Sequence, residues 1–591
     1  MKRVIPVLIS ITVVIIGILV LQSGLFTSSV KSLYYILRGG TPHVEVIRRF
    51  GFNCIWYGSV ALILLLCCRS KEGSISVNDK IERLLQIVIV LMAVTAYSYM
   101  MINLKSAVID GVRHWWLVDD EMISMRYARN LVNGGGLVWN PGERVEGYTN
   151  FLWTIYMAFV HLAPIPLAKT SLAIMITNVL LTVATVPLVM KIMKLLNGGA
   201  FESVFAAAAF ILNMDVMSCS LDGFEAVPIM FVATLSIYLI IKDARSDRVN
   251  PTTFILIPLI SLLRADGLVI SLILWGLALV VYRDKRKALT YGLIGLALPF
   301  LHLAFRMIYY GDILPNTAYL KVMSWDGRLA AGLAYLMRFI SHYLFLLILI
   351  VIYIIRVRRA EVIYMTAAFF LYFIYIAWVG GDNFVNNRFF LPFIPMLLIF
   401  GIRGIRRMGV NAAWSPLFVV LLFLTLPLQT PYTLAKPLQP EECNIGNIEI
   451  GLLIRENTPE DCTVGDFWAG SVFYFSGRRG VDLLGKVDRR IARLETTSSG
   501  RIPGHNKFDF DYSLAVRQPD LIVANFTLPV DEADMRLRTG GNDAFTGRLY
   551  FNDAFQRYYL DNPVDIETWR TIFVRSDSPV MESRNRWRRL E

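Results

Sequence analysis

The chain reads as an α-helical polytopic membrane protein with a C-terminal α/β domain, and three observations lead there. Of its 591 residues, 55% are hydrophobic and only 18% are charged, and the mean hydropathy is +0.52. About a dozen apolar runs approach the length of roughly 20 residues that a membrane-crossing helix needs. From about Lys436 that pattern stops, and short apolar strands alternate with helical stretches broken by Gly and Pro.

The elements follow in order. The opening run, Val4 to about Leu21, sits behind Lys2 and Arg3 with no convincing small-residue cleavage site after it, so it is expected to be an uncleaved first span. A second runs about Phe52–Cys68 and a third about Leu84–Leu104. Basic clusters then recur between apolar runs: Lys191/Lys194, Lys242/Arg245/Arg248, Arg283/Lys285/Arg286/Lys287, Arg356/Arg358/Arg359 and Arg403/Arg406/Arg407. Taken as cytoplasmic markers, with the N-terminus inside, they place five polar segments on the outer face together with Asp119 and Asp120. These segments are SLDGFEAVP, RADG, YYGDILPNTAYLKV, GGDNFVNNRFFLP and the tail. Phe151–Ala163, closed by Pro164 and Pro166, is short and is expected to dip into the membrane without spanning it. Phe254–Tyr282 carries Arg264 and Asp266 at its centre, which predicts two short segments with a polar elbow lining a cavity. The total is about 13 transmembrane segments.

The expected organisation is three N-terminal helices over 1–104, a catalytic outer loop with an amphipathic helix over 105–150, a transmembrane core over 151–435, and an extracytoplasmic α/β domain over 436–591. In that tail, Thr463–Phe467 and Leu521–Asn525 read as strands, and Ile445–Asn457 and Lys486–Leu494 as helices. The net charge of +12 resides mostly in juxtamembrane clusters, which excludes a nucleic-acid partner. There is no GxxxxGK[ST] phosphate loop and no Rossmann glycine fingerprint. The six cysteines have no metal-like spacing, though Cys443 and Cys462 could pair.

The loop LVDDEMISMRYARNLVNGGGLVWNPGERVEGYTNFLW carries the chemistry. Carboxylates beside hydrocarbon are costly unless they face water, a cation or a reacting group. Asp119 and Asp120 could supply a general base with a partner that orients it, bind a divalent cation (Mg or Mn), or simply favour the dipole of the helix they start. Arg126 and Arg129, three apart, share a face of that helix, and Asn140, Glu146, Tyr148 and Asn150 add polar and aromatic groups suited to substrate. Arg388, at an outer edge near Asp382, could fork onto a phosphate or act as a snorkelling anchor. Lys321, after Asn316, poses the same choice. Glu225 could meet an acceptor hydroxyl or cap the next helix, His505 could reach over the site from the tail, and Arg264 and Asp266 are expected to pair with one another. A base, a phosphate clamp and a membrane cavity on a face without ATP fit a donor that brings its own leaving group within the bilayer: a polyprenyl-phosphate sugar.

Asp119 to Trp153 resembles the first outer loop of polyprenyl-phosphate-dependent glycosyltransferases of the GT-C class, and is most similar to the mycobacterial terminal β-(1→2)-arabinofuranosyltransferase group. The likeness continues through LDGFEAVP, RADGL, YYGDILPNTAYLK, GGDNFVNNRFFLP, GRRGVDLLGKVDRRIAR and PGHNKFDFDYSLAVRQPDLIV. The resemblance implies Asp119 as catalytic base with Asp120 as its partner, inverting transfer to a cell-envelope glycan, lipid or protein, and a location in the plasma membrane. Two additional spans precede the loop, and Asp266 stands where relatives often have Pro-Glu, so the donor sugar (a pentofuranose in that group) does not follow from it. Transferases of the O-mannosyl or aminoarabinose type belong to the same class. A flippase for a lipid-linked sugar is the rival outside it, and a noncatalytic scaffold is a third reading.

Overall fold

A computed structural model describes residues 69–71, 74–76, 79–321, 327–384, 386–407, 441–496, 504–540, 543–564 and 568–587. The first two expected spans lie outside the described residues. Helix α1 (Asp79–Leu104) leads through a hairpin, β1 (Ser106–Ile109) and β2 (Val112–Trp115), to α2 (Asp119–Val132). Then come α3 (Phe151–His161), α4 (Leu167–Leu195), α5 (Ala200–Ile211), α6 (Met214–Asp222), α7 (Ala226–Arg245), α8 (Pro251–Leu263) and α9 (Gly267–Val281). The series closes with α10 (Lys285–Gly295), α11 (Ala297–Tyr310), α12 (Asn316–Lys321), α13 (Arg328–Val357), α14 (Ala360–Val379) and α15 (Ile394–Arg407), the last entered through a 3-10 turn, Arg388–Phe393.

Among the described residues, seven helical stretches are long and apolar enough to cross a bilayer, and four shorter ones are apolar. The short α3 lies over the segment expected to dip. Helices α8 and α9 form the expected pair of half-segments, with Arg264–Asp266 as the elbow between them. Gly267 makes that elbow possible, because a Cβ there would stand 2.4 Å from the Ile260 carbonyl oxygen. Helix α15 is enclosed from Ile394 to Ile405. Its Gly404 brings the backbone against α13, where a Cβ would meet the Leu349 carbonyl oxygen at 2.1 Å, as small residues do at membrane helix contacts.

Helix α2 starts after extended Val118 with Asp119, Asp120 and Glu121 in its first turn, where the helix dipole favours acids. It forms as expected but does not lie at a lipid interface. Met122, Met125 and Ala128 pack into the transmembrane core, whereas Ile123 and Tyr127 pack into a second core with Val464, Phe473, Val487 and Leu521 of the tail. A helix apolar on both flanks has no face left for water, so it is sandwiched.

The tail comprises α16 (Glu442–Asn457), β3 (Thr463–Asp466), α17 (Ser471–Ser476), β4 (Arg479–Asp482), β5 (Leu521–Ala524) and β6 (Thr571–Val574), among shorter turns of helix. The sheet order is β4-β3-β5-β6, parallel except for the antiparallel β6. The helix expected over Lys486–Leu494 contracts to a single turn, Arg489–Ala492, because Asp488 caps it by accepting from the Arg490 and Ile491 N–H groups. Cys443 and Cys462 are unpaired.

Candidate active site

A cavity of about 360 Å³ lies where α2, the α8–α9 elbow, α12, the loop before α15 and the tail meet. Each polar segment expected on the outer face sends a residue to it: Glu225, Arg264 and Asp266, Lys321, Asp382 and Arg388, and Lys486 from the tail, all around Asp120.

Asp120 is held by two ammonium groups. Lys486 Nζ donates to its Oδ1 at 3.0 Å, and Lys321 Nζ lies 3.7 Å from its Oδ2. Burial opposes the charge of Asp120, but Lys486 and then Lys321 outweigh it and hold the carboxyl well below the usual carboxylate range. The reciprocal holds for Lys486, where burial is overcome by Asp120 and Asp119 and the pKa is raised. Lys321 is lowered by burial, with Asp120 only partly compensating.

Lys486 is placed with some care. The turn after β4 is fixed by Asp482, which accepts from the Leu484 N–H at 3.0 Å and the Val487 N–H at 2.7 Å. Gly485 takes the positive φ (+77°) this turn needs. From the other side, the Asn316 amide donates to the carbonyls of Gly485, Lys486 and Asp488 at 2.9, 3.1 and 3.1 Å. Asn316, expected to touch substrate, instead ties α12 to the lysine loop.

Arg388 is enclosed between the rings of Phe224 and Phe384, at 4.3 and 4.5 Å. Its Nε and Nη2 form a bidentate pair with Asp382 at 2.5 and 2.9 Å. Arg264 donates to Asp266 at 2.7 Å, the expected pairing, and also to Glu225 at 3.0 Å. Tyr148 and Asn150 line the cavity as expected, Tyr148 bonded to Tyr310 at 3.0 Å.

Several expected site residues are elsewhere. Asp119 does not line the cavity: its Oδ1 accepts from the Ser471 N–H at 2.8 Å, and it packs against Gly470, where a Cβ would stand 2.1 Å from its carbonyl oxygen. Neighbours on a helix point about 100° apart, so of the pair only Asp120 faces the hollow. Arg126 is used up in docking the tail, donating to the carbonyls of Trp139, Phe473 and Arg478 at 2.7, 2.9 and 2.8 Å and to Asn140 at 3.0 Å. Arg129 donates to the Tyr474 carbonyl at 2.6 Å. Asn140 pairs with both the N–H and the carbonyl of Gly480, at 3.0 and 2.8 Å. Glu146 is locked to Arg306 at 2.5 and 3.1 Å. His505 stays outside the lining, between Trp468 and Phe545; burial and then Lys486 push its pKa down to about 3, so it is neutral. Lys486 and Glu121 were not singled out from sequence, although Glu121 completes the DDE run and Lys486 lies within GRRGVDLLGKVDRRIAR.

The carboxylate pair does not by itself form a divalent-cation site. Among the described residues no three His, Cys, Asp or Glu side chains gather into a metal-binding group. Asp119 and Asp120 face different ways, and ammonium groups hold the oxygens of Asp120 that a cation would require.

The architecture has likenesses among solved structures. It resembles ArnT of Cupriavidus metallidurans in the apo state, with a TM-score of 0.51 and 11% identity over 84% of this chain and 98% of that one. It resembles equally the archaeal oligosaccharyltransferase AglB of Archaeoglobus fulgidus, in complex with an inhibitory peptide and a dolichol-phosphate, with a TM-score of 0.51 and 10% identity over 84% and 77%. At such identities the likeness is one of fold. In sequence, the chain is similar to the terminal beta-(1->2)-arabinofuranosyltransferase of Mycobacterium tuberculosis, 26% identical over 255 residues, 40% of each chain. It is also similar to the protein of that description from Corynebacterium glutamicum, 53% identical over 38 residues, 6% of each chain. The matched stretch thus spans two fifths of the first relative's length. The family described as "Domain of unknown function (DUF8728)" matches residues 438–575, within the tail.

Proposed function

We propose that the protein transfers a sugar from a polyprenyl-phosphate donor to an acceptor hydroxyl, with Asp120 as general base. The observation that carries this reading is the meeting of Asp120 with Lys486, Lys321 and Arg388 in one cavity. Polarising cations beside a carboxylate are what the reaction needs. The acceptor oxygen attacks the anomeric carbon, the bond from that carbon to the phosphate oxygen breaks, the proton passes to Asp120, and polyprenyl phosphate leaves with its added charge stabilised. Attack opposite the departing phosphate inverts the anomeric centre.

As it stands, Asp120 is a weak base, because two ammonium groups stabilise its charge. An arriving phosphate competes for the same two lysines. As they turn to the donor, Asp120 loses its counter-charges and its basicity rises, so base strength appears only when substrate is present. The 3-10 turn that begins at Arg388 ends at Phe393, which lines an apolar groove of about 290 Å³ between α13, α14 and α15, suitable for isoprenoid units. The likeness to arabinofuranosyltransferases makes a pentofuranosyl lipid the first donor to test. The distribution of basic clusters supports a cavity and tail on the outer face of the plasma membrane, with the N-terminus cytoplasmic. The acceptor is then a cell-envelope glycan, lipid or protein. Incubating the purified protein with a panel of polyprenyl-phosphate sugars and envelope acceptors, with products read by mass spectrometry, tests the reading. Transfer from none of them defeats it.

A further inference from the structure

The mechanism above leaves Glu121 without a task, yet it is among the most deeply buried acids in the cavity wall, 3% exposed. Its carboxyl is hydrogen-bonded to that of Glu225, itself 2% exposed. Two carboxylates cannot share a hydrogen bond without a proton between them, and like charges buried side by side disfavour joint ionisation.

The surrounding bonds say which of the two holds it. The Asn150 side-chain oxygen accepts from Ser124 Oγ at 2.8 Å and Thr154 Oγ1 at 3.0 Å, which turns its NH₂ toward Glu121 Oε2, a donation of 3.0 Å. Oε2 of Glu121 therefore accepts from a neutral amide, which leaves its other oxygen as the place for a hydrogen. Glu225 faces Arg264 at 3.0 Å and is the ionised member. The electrostatics agree: burial, then Glu225 beside it, push Glu121 well above the ordinary carboxyl range. Burial also opposes the charge of Glu225, but Arg264 and Arg388 outweigh it and leave that carboxyl low.

The proton matters for the charge of the whole cavity. Five acids line it (Asp120, Glu121, Glu225, Asp266 and Asp382) against four bases (Arg264, Lys321, Arg388 and Lys486). Fully ionised, the wall would carry a net negative charge and oppose an anion.

We propose that Glu121 carries a proton shared with Glu225, and that this proton renders the cavity neutral and so admits an anionic phosphate donor. The inference deepens the donor reading given above and rests on it for the identity of the anion. Glu121 is on this view a positioning residue, acting on the donor through the charge of the wall.

Two measurements test it. Infrared difference spectra of the wild type in lipid nanodiscs at neutral pH, against the Glu121→Gln variant, are expected to show a carboxylic-acid C=O band that the variant lacks and that disappears as the wild type is made alkaline. Binding of decaprenyl phosphate to the same nanodiscs is expected to weaken about tenfold in the wild type as that band disappears, the effect of one added unit charge at this range. Glu121→Gln, uncharged throughout, is expected to weaken less. Lys321, with its lowered pKa, also loses charge as pH rises, so the difference between the two proteins isolates Glu121. Absence of the band, or an equal alkaline weakening in both proteins, overturns the inference and leaves the donor reading standing. A band present with no decaprenyl phosphate bound at any pH overturns the donor reading, and with it the role given to the proton.

Discussion

Replacing Lys486 by Met removes a charge while keeping most of the side chain's bulk, and the geometry allows the effect to be worked out. Lys486 Nζ is 3.0 Å from Asp120 Oδ1, with side-chain exposures of 6% and 24%. Breaking a buried ion pair from one side costs about 3–5 kcal/mol. The partial exposure of Asp120 and the continued presence of Lys321 at 3.7 Å reduce that to about 2 kcal/mol of stability. The rate should suffer more. A preorganised donor aimed at developing charge supplies about 2.7–4 kcal/mol, so kcat/KM is expected to fall about 100- to 1000-fold. The pH profile gives a second readout. Asp120 has its pKa depressed in the folded protein, so the ionised base is present above that value and is lost only as pH falls through it. In kcat/KM, which reports the protein before the donor binds, the wild type should therefore keep its rate to below about pH 4, the ordinary aspartate value. Without Lys486, burial is less opposed, the pKa of Asp120 rises, and the acid limb moves up. Initial rates of sugar transfer, followed by mass spectrometry across pH, measure both effects. A variant within about threefold of wild-type kcat/KM, with its acid limb unmoved, would refute the reasoning.

Four further outcomes are expected. Asp120→Asn should abolish transfer with the fold intact, whereas Asp119→Asn should lower thermal stability and retain transfer; the opposite ranking in purified protein would return the base to Asp119. Arg126→Ala removes four hydrogen bonds, two of them to tail carbonyls, and should cost about 1–3 kcal/mol, seen as a lower Tm and faster proteolysis of residues beyond 440. Because Asp120 is held by lysines, a chelator should leave initial rates unchanged, and a chelator-sensitive rate restored by Mg or Mn would overturn that expectation. Gly135→Cys, at an exposed loop position, should react with a membrane-impermeant thiol reagent added from outside intact cells; reaction only after permeabilisation would invert the orientation.

Much of this was legible without coordinates because membrane physics is coarse. Apolar runs of bilayer length mark α4, α7, α13 and α14, and a polar pair inside an apolar run marks the elbow at Arg264–Asp266. Alternation of basic clusters with polar segments gathers Asp120, Glu225, Lys321 and Arg388, and the cavity contains all four. What sequence could not decide is direction at short range. Asp119 and Asp120 are equivalent as letters, and only the docking of Ser471 and Gly470 against one of them turns the other to the hollow. Arg126, Asn140 and Glu146 have the composition of a substrate site, but their partners are backbone carbonyls and an arginine from distant segments, contacts that no local pattern reports. Lys486 was concealed for a similar reason. It stands in a basic stretch of a tail expected to fold by itself, and its value depends on which neighbour the tail docks against.

That docking has a chemical consequence. The lysine that polarises Asp120 belongs to the tail, while the carboxylate belongs to α2, so neither part holds a complete site alone. The joint is rigid where it must be: Asn316 clasps the lysine turn through three carbonyls, and Gly147 lets Val487 seat against the loop, where a Cβ would stand 2.2 Å from Val487 Cγ1. The same joint buries Asp119 and Glu121 and leaves Asp120 partly exposed toward the cavity. In the reading proposed above, where a phosphate draws Lys486 away from Asp120, assembly of the two parts becomes the condition for a base of useful strength.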